Sequence, residues 1–126
     1  MADHSTMQRY IGHVAAGEWD EVAEFYSDDL VGHIGGHNRF SGTHRGRVAF
    51  SEANLGFKAP FDSLWTDEHD LLVSDDHAVV LATWHGDRGG DSLSMNRTFV
   101  YHLDGGKITE LWVIDEDQAA VDEFLA

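Results

Sequence analysis

Three histidines and four glycines crowd one stretch of the chain, His33-Ile34-Gly35-Gly36-His37-Asn38-Arg39-Phe40-Ser41-Gly42-Thr43-His44-Arg45-Gly46, directly after a short apolar run. An imidazole takes and returns a proton near neutral pH with little tuning, so His33 suits a general base. The competing reading of His33 is a partly buried histidine bonded to a loop carbonyl. Neutral imidazoles also bind zinc, iron or copper. The spacing of His33, His37 and His44 matches no helix-borne pair of the H-E-x-x-H kind, and glycines between them fix no ligand geometry, so no metal is expected. The glycines resemble a phosphate loop only superficially, because no Gly-Lys-Ser/Thr follows them.

Composition narrows the setting in which such residues work. The chain has 126 residues, 42% of them hydrophobic and 11% aromatic, which suits one domain spanning 1–126 with a single core. Eight basic against 23 acidic side chains give a formal charge of −15, which repels phosphate backbones and anionic membrane surfaces. Neither nucleic acid nor membrane is an expected partner. Cysteine is absent, so there is no disulfide framework and no thiol nucleophile. Met1 to Thr6 is polar, and no apolar run approaches the roughly 18 residues of a membrane span; a cytoplasmic protein is expected.

The elements that must position these residues change once, from helical to strand period. Ser5 with Gln8 reads as a capping box opening a helix that carries Met7, Tyr10, Ile11 and Val14 and stops at Gly17. Trp19, Val22, Phe25 and Tyr26 share one stripe of a second helix. Leu30 to Ile34 reads as a strand, and Val48 to Leu55 as a helix closed by Gly56. Four strands follow, Ser63–Val73, His77–Arg88, Ser92–Leu103 and Lys107–Ile114, divided by Asp75-Asp76, Gly89-Gly90 and Asp104-Gly105-Gly106. A last helix runs from Asp117, as N-cap, to Leu125.

A two-residue turn at Gly89-Gly90 pairs Trp84 with Met95, Ala82 with Arg97, Val80 with Phe99 and Ala78 with Tyr101, all on one face. A three-residue loop at 104–106 adds Thr109, Leu111, Val113 and Asp115 to that face. It is the apolar one and therefore packs on the helices. Arg97 and Asp115, one diagonal step apart, are carried into its interior. They form either a site that binds an anionic substrate or activates water, or a structural ion pair between strands. The whole describes an α+β fold: a cone-shaped roll of N-terminal helices packed in a curved, mainly antiparallel sheet, with a short C-terminal helix.

With that order, the segments Met7-Gln8-Arg9-Tyr10-Ile11, Ala16-Gly17-Glu18-Trp19-Asp20 and Phe25-Tyr26-Ser27-Asp28-Asp29 resemble the SnoaL-like branch of the nuclear-transport-factor-2-like superfamily. The spaced His33-x-x-Gly36-x-Asn38-x-x-x-Gly42-x-x-x-Gly46 and the ending from Gly106-Lys107-Ile108-Thr109-Glu110-Leu111-Trp112 through Asp117-Gln118-Ala119-Ala120-Val121-Asp122 extend the resemblance over nearly the whole chain. It implies the fold rather than the reaction, since the superfamily holds ketosteroid isomerases, polyketide cyclases, epoxide hydrolases, dehydratases and non-catalytic binding modules.

Carried over by position, the resemblance makes Tyr10 an oxyanion donor like the first-helix tyrosine of ketosteroid isomerases; the alternative is an ordinary core tyrosine. His33 stands where those isomerases have their base, and Phe99 where they have a second oxyanion donor, so steroid isomerisation is not transferred. Arg97 and Asp115 match two of three residues used by limonene-type epoxide hydrolases, with Phe99 again in place of the third. Asp115 also matches the acid/base aspartate of SnoaL-like cyclases.

The expected site is thus His33, Asp115, Arg97 and Tyr10 as catalytic groups in a chamber lined by Trp84, Met95, Phe99, Tyr101, Leu111 and Val113, with His37 and Asn38 at its rim. Trp19 is expected to pack in its turn for stability. No cofactor is expected. The reading is a cofactor-independent isomerase, cyclase, dehydratase or hydrolase acting on a largely apolar organic molecule; the alternative is a binding or assembly module with a filled pocket. Trp112 falls on the opposite sheet face, which suggests a homodimer through the convex side.

Overall fold

A computed structural model describes residues 4–126. The elements are α1 (His4–Ala16), α2 (Trp19–Ala23), β1 (Tyr26–Ile34), β2 (Gly42–Arg45), α3 (Arg47–Lys58), β3 (Ser63–Val73), β4 (His77–Arg88), β5 (Asp91–Asp104), β6 (Lys107–Asp115) and α4 (Gln118–Phe124). The fold is the expected α+β arrangement. One six-stranded sheet runs β2-β1-β6-β5-β4-β3, antiparallel throughout except where β1 lies parallel to β6.

Several boundaries differ from the sequence reading. The chain is already helical at His4, so Ser5 lies inside α1 rather than capping it; the polar start read over Met1 to Thr6 lies partly outside the described residues. Helix α2 ends at Ala23, and Tyr26, placed on its stripe, instead opens β1. Gly56 does not stop α3, which runs on to Lys58 two residues before Pro60. Its missing Cβ makes room for the Phe40 ring, whose Cε1 would stand 2.9 Å away. Asp117 caps α4 as expected, accepting a hydrogen bond from the Ala120 amide at 3.2 Å.

The β4–β5 register is the expected one, with Ala82 opposite Arg97 and Trp84 opposite Met95. The β5–β6 hairpin differs in two ways that offset each other. Its turn has two residues, closed by Asp104 opposite Lys107, and an irregularity past His102 leaves Thr109 outside the pairing. Ile108 therefore replaces Thr109 on the buried face, while Leu111, Val113 and Asp115 keep their places. Arg97 faces Asp115 directly instead of diagonally.

The core fills the concave side. Met7, Tyr10, Val22, Phe50 and Phe57 from the helices meet Leu30, Val80, Trp84, Phe99, Tyr101 and Leu111 from the sheet. Gly32 sits directly under Phe50, so close that an added Cβ would run into the ring. On the convex side Leu72, Leu81 and Ile114 are 52%, 38% and 50% exposed.

Candidate active site

Alternation along β4, β5 and β6 sends every second side chain into the cone. The resulting cavity, about 50 Å³, is lined from the sheet by Val80, Ala82, Trp84, Arg97, Phe99, Tyr101, Leu111 and Val113 and from the helices by Tyr10, Trp19, Asn54 and Phe57, among others. This is room for a few waters.

All three tyrosines of the chain meet here. The Tyr10 and Tyr26 hydroxyls are 2.9 Å apart, and the Tyr101 hydroxyl donates to that of Tyr10 at 3.4 Å. Their rings pack edge to face, Tyr10 against Tyr26 and Tyr101. Burial, above all, holds each hydroxyl well above the ordinary phenol range; repulsion from a neighbouring tyrosine adds to it for all three, while the hydrogen bonds with Tyr26 at Tyr10 and with Tyr10 at Tyr101 oppose it. The cluster therefore stays protonated and offers hydrogen bonds without becoming a base.

Arg97 and Asp115 are the buried charged pair of the cone, 5% and 9% exposed. Nε of Arg97 donates to one Asp115 oxygen at 2.8 Å and Nη2 to the other at 3.2 Å. The guanidinium carbon lies 4.7 Å from the Phe57 ring centre, 5.0 Å from Trp84 and 5.7 Å from Phe99. Arg97 reaches the cavity, whereas Asp115 stands behind it and orients it.

Of the remaining expected site residues, Trp84, Phe99, Tyr101, Leu111 and Val113 line the cavity. Met95 does not; it is buried two ladder positions from Arg97 toward the β4–β5 turn, where it packs opposite Trp84. His33 lies outside as well. Gly32 takes the inward position of β1, so His33 points to the convex side, stacks on Trp112 with ring centres 5.1 Å apart, and bonds Glu110 at 2.7 Å and Thr43 at 3.1 Å. His37 and Asn38 are also away from the cavity. The His37 amide and the Asn38 side-chain amide donate to Asp122 of α4 at 3.0 and 2.9 Å. The bond from Asn38, more than any other contact, holds the Asp122 carboxyl below its ordinary range. Gly36, at φ 91°, is required there: a Cβ would collide with Gln118 and Asp122. The histidine- and glycine-rich segment is therefore docked onto α4. His44 Nε2 donates to the Phe40 carbonyl, 2.8 Å away.

Two groups at the cone were not foreseen. Glu68 of β3 lines the cavity. Lys58, the last residue of α3, is partly buried with Nζ 3.7 Å from the Trp19 ring centre and 5.4 Å from Trp84, donating to Asn54 Oδ1 at 2.6 Å. Desolvation, with the nearby Arg97, holds its ammonium well below the ordinary lysine range. The signal for Lys58 was available: it extends the Phe50, Asn54, Phe57 stripe of α3. Among the described residues, no three His, Asp or Glu side chains gather to hold a metal ion. No described helix is long and apolar enough to cross a membrane.

Solved structures of the same fold are numerous. A protein of unknown function with a cystatin-like fold from Xanthomonas campestris superposes with TM-score 0.90 at 23% identity, covering 100% of this chain and 99% of its own. Bal32a, from a soil-derived mobile gene cassette, gives 0.89 at 22%, covering 97% and 95%. TerC, co-crystallised with polyporic acid, gives 0.81 at 13%, covering 96% and 95%. At these identities the likeness shows the fold. A search of curated proteins returns no match. Residues 7–111 match the SnoaL-like domain, and the chain accordingly belongs to the SnoaL-like family, within the NTF2-like fold.

Proposed function

We propose that the cone is the active site of a cofactor-independent enzyme that moves a proton on a small, largely apolar organic molecule. The observation that carries this reading is the convergence of three neutral tyrosine hydroxyls with a buried, carboxylate-oriented arginine on one apolar cavity. Tyr10 accepts a bond from Tyr101 and shares one with Tyr26, so its hydroxyl is polarised to stabilise an oxygen that gains negative charge when a neighbouring C–H is broken. Nε and Nη2 of Arg97 serve Asp115, which leaves Nη1 to orient a substrate oxygen. Glu68 takes the role of base in place of His33, because it is the carboxylate that lines the cavity. Asp115 positions Arg97.

The size of the cavity favours a second reading, a binding module whose pocket is filled by its own side chains. At about 50 Å³ it is far below the roughly 300–1,000 Å³ of drug-sized ligand sites. An enzyme of this shape takes a small substrate or swings Trp84 or Trp19 aside. In either reading the convex face, with Leu72, Leu81, Ile114 and Trp112, is covered by a second copy of the chain. Light scattering of the wild type, with Ile114→Glu as the monomer control, checks that assignment; a wild type that is monomeric at working concentration removes it.

The discriminating measurement is hydrogen–deuterium exchange of acidic C–H positions in a panel of small ketones, lactones and cyclic diketones, followed by NMR. Exchange above the buffer rate is expected for some member, with Tyr10→Phe and Glu68→Gln each slowing it by about 10²-fold or more. If no compound exchanges faster with protein, or if both variants match the wild type, the catalytic reading fails and the filled-pocket reading stands.

A further inference from the structure

The chain has only two lysines, and one of them, Lys58, packs against residues that line the cavity. Lys107 is exposed in the β5–β6 hairpin and donates to the Glu24 carbonyl at 2.5 Å. Lys58 has a different setting. Its ammonium sits over Trp19 and near Trp84, both cavity residues, and its hydrogen bonds go to Asn54, at 2.6 Å to the side chain and 3.4 Å to the carbonyl. No carboxylate lies within ion-pair range of it among the described residues. Arg97 packs on the same Trp84, and Asp115, its ion-pair partner, is bound by it twice. A chain carrying −15 thus gathers two cations, Lys58 and Arg97, and two carboxylates, Asp115 and Glu68, around one apolar cavity, with Lys58 ion-paired to neither.

An amine withdrawn from water and near a second cation has a raised neutral fraction, which is the form that attacks carbonyl carbon. We infer that Lys58 is an imine-forming nucleophile and that the cavity takes small aldehydes or ketones. The substrate class rests on the reading of the cone as a substrate site; the reactivity of the amine does not. The Nζ lone pair forms a bond to the carbonyl carbon while the C=O π electrons move to oxygen, which takes a proton. The attacking nitrogen gives up the proton that this oxygen takes; the carbinolamine hydroxyl then accepts a second proton from solvent and leaves as water, giving a protonated imine on Lys58. No oxidant or reductant is consumed, and hydrolysis reverses the step. The imine withdraws electrons from the adjacent carbon, so removal of its proton gives an enamine. It is the same class of reaction as the proton transfer assigned to this cavity, loss of a proton from the carbon next to a carbonyl carbon. The iminium nitrogen takes the electrons in place of the oxygen that Tyr10 would stabilise. Depression of the lysine's proton affinity by burial and by Arg97 acts in the same direction.

The test is reductive trapping of the folded wild type with propanal and sodium cyanoborohydride near neutral pH, read by peptide mapping. Each unit by which an amine's pKa falls raises its neutral fraction about tenfold, so Lys58 is expected to gain a propyl group at least about tenfold faster than Lys107. In urea the two lysines should react alike, and Lys58→Met should abolish the fast phase. Lys107 and the N-terminus reacting as fast as Lys58 in the folded protein, or a Lys58 that stays unmodified, would overturn the inference. Fast trapping at Lys58 with no catalysed proton exchange leaves the amine assignment standing and removes the proton-transfer reading. Exchange without trapping does the reverse.

Discussion

Asp115→Asn keeps the size of the side chain and removes the charge that Arg97 was buried against. Arg97 is 5% exposed and its guanidinium donates to both carboxylate oxygens, at 2.8 and 3.2 Å. Breaking such a pair from one side leaves an uncompensated buried charge, which costs roughly 3–5 kcal/mol. The Phe57, Trp84 and Phe99 rings around the guanidinium attract the cation equally in both proteins and drop out of the difference, while the amide oxygen of the replacement still accepts one hydrogen bond and keeps the loss at the low end of that range. The expected loss is therefore about 3 kcal/mol. With an unfolding entropy of about 2 cal/mol/K per residue, a domain of this length should melt about 10 °C lower. Urea unfolding measures the loss directly, provided the slope with denaturant is unchanged. The double replacement Arg97→Met with Asp115→Leu removes both charges into the same aromatic surroundings and is expected within about 1 kcal/mol of wild type. A cost below about 1 kcal/mol for Asp115→Asn would mean that water reaches the pair, and the picture of Arg97 as a desolvated, oriented donor would be wrong.

The remaining predictions concern the other groups of the cone. Near-UV titration should show no tyrosinate while the fold persists. The tyrosines' share of stability is complete below pH 10.0, where unfolded tyrosines begin to ionise, and is lost as pH rises above it. A tyrosine that titrates reversibly at its ordinary value in the folded protein would contradict the burial of the cluster. Lys58→Met should raise the melting temperature at neutral pH. Below the ordinary lysine value of 10.5 the unfolded chain binds a proton that the folded one resists, so the wild type loses stability as pH falls until Lys58 itself protonates. Equal melting of wild type and Lys58→Met across that range would remove the case for desolvation. Gly32→Ala should cost about 1–3 kcal/mol in urea unfolding, because its Cβ would meet Phe50 Cε1 at 2.6 Å; a neutral substitution would show that α3 yields freely.

What the sequence discloses about this site follows parity along strands. Gly89-Gly90 is short enough to leave one sensible register, and from it Trp84, Arg97, Phe99 and Tyr101 are legible as one inward row. Legibility ends where a single residue is inserted or a glycine substitutes for a side chain. His33 has the chemistry of a base, but Gly32 next to it takes the inward position so that Phe50 can lie on the sheet, and His33 is turned to Glu110 and Trp112.

Glu68 shows the same rule in reverse. Val73 faces Ala78 and Leu71 faces Val80; continued without interruption, that pairing would set His69 opposite Ala82. The register instead slips at His69, so Glu68 stands opposite Ala82 and His69 bonds Thr83. Ala82 also pairs with Arg97 on its other side. One unpaired residue in an edge strand thus decides whether the cavity faces Arg97 with a carboxylate or an imidazole across the same alanine, and neither composition nor alternation records that choice. Glu68→Gln tests what the slip placed there, and deletion of His69 would restore an unbroken ladder with Glu68 still opposite Ala82. Activity retained in that deletion would show that the carboxylate's position, rather than the bulge itself, is what the chemistry requires.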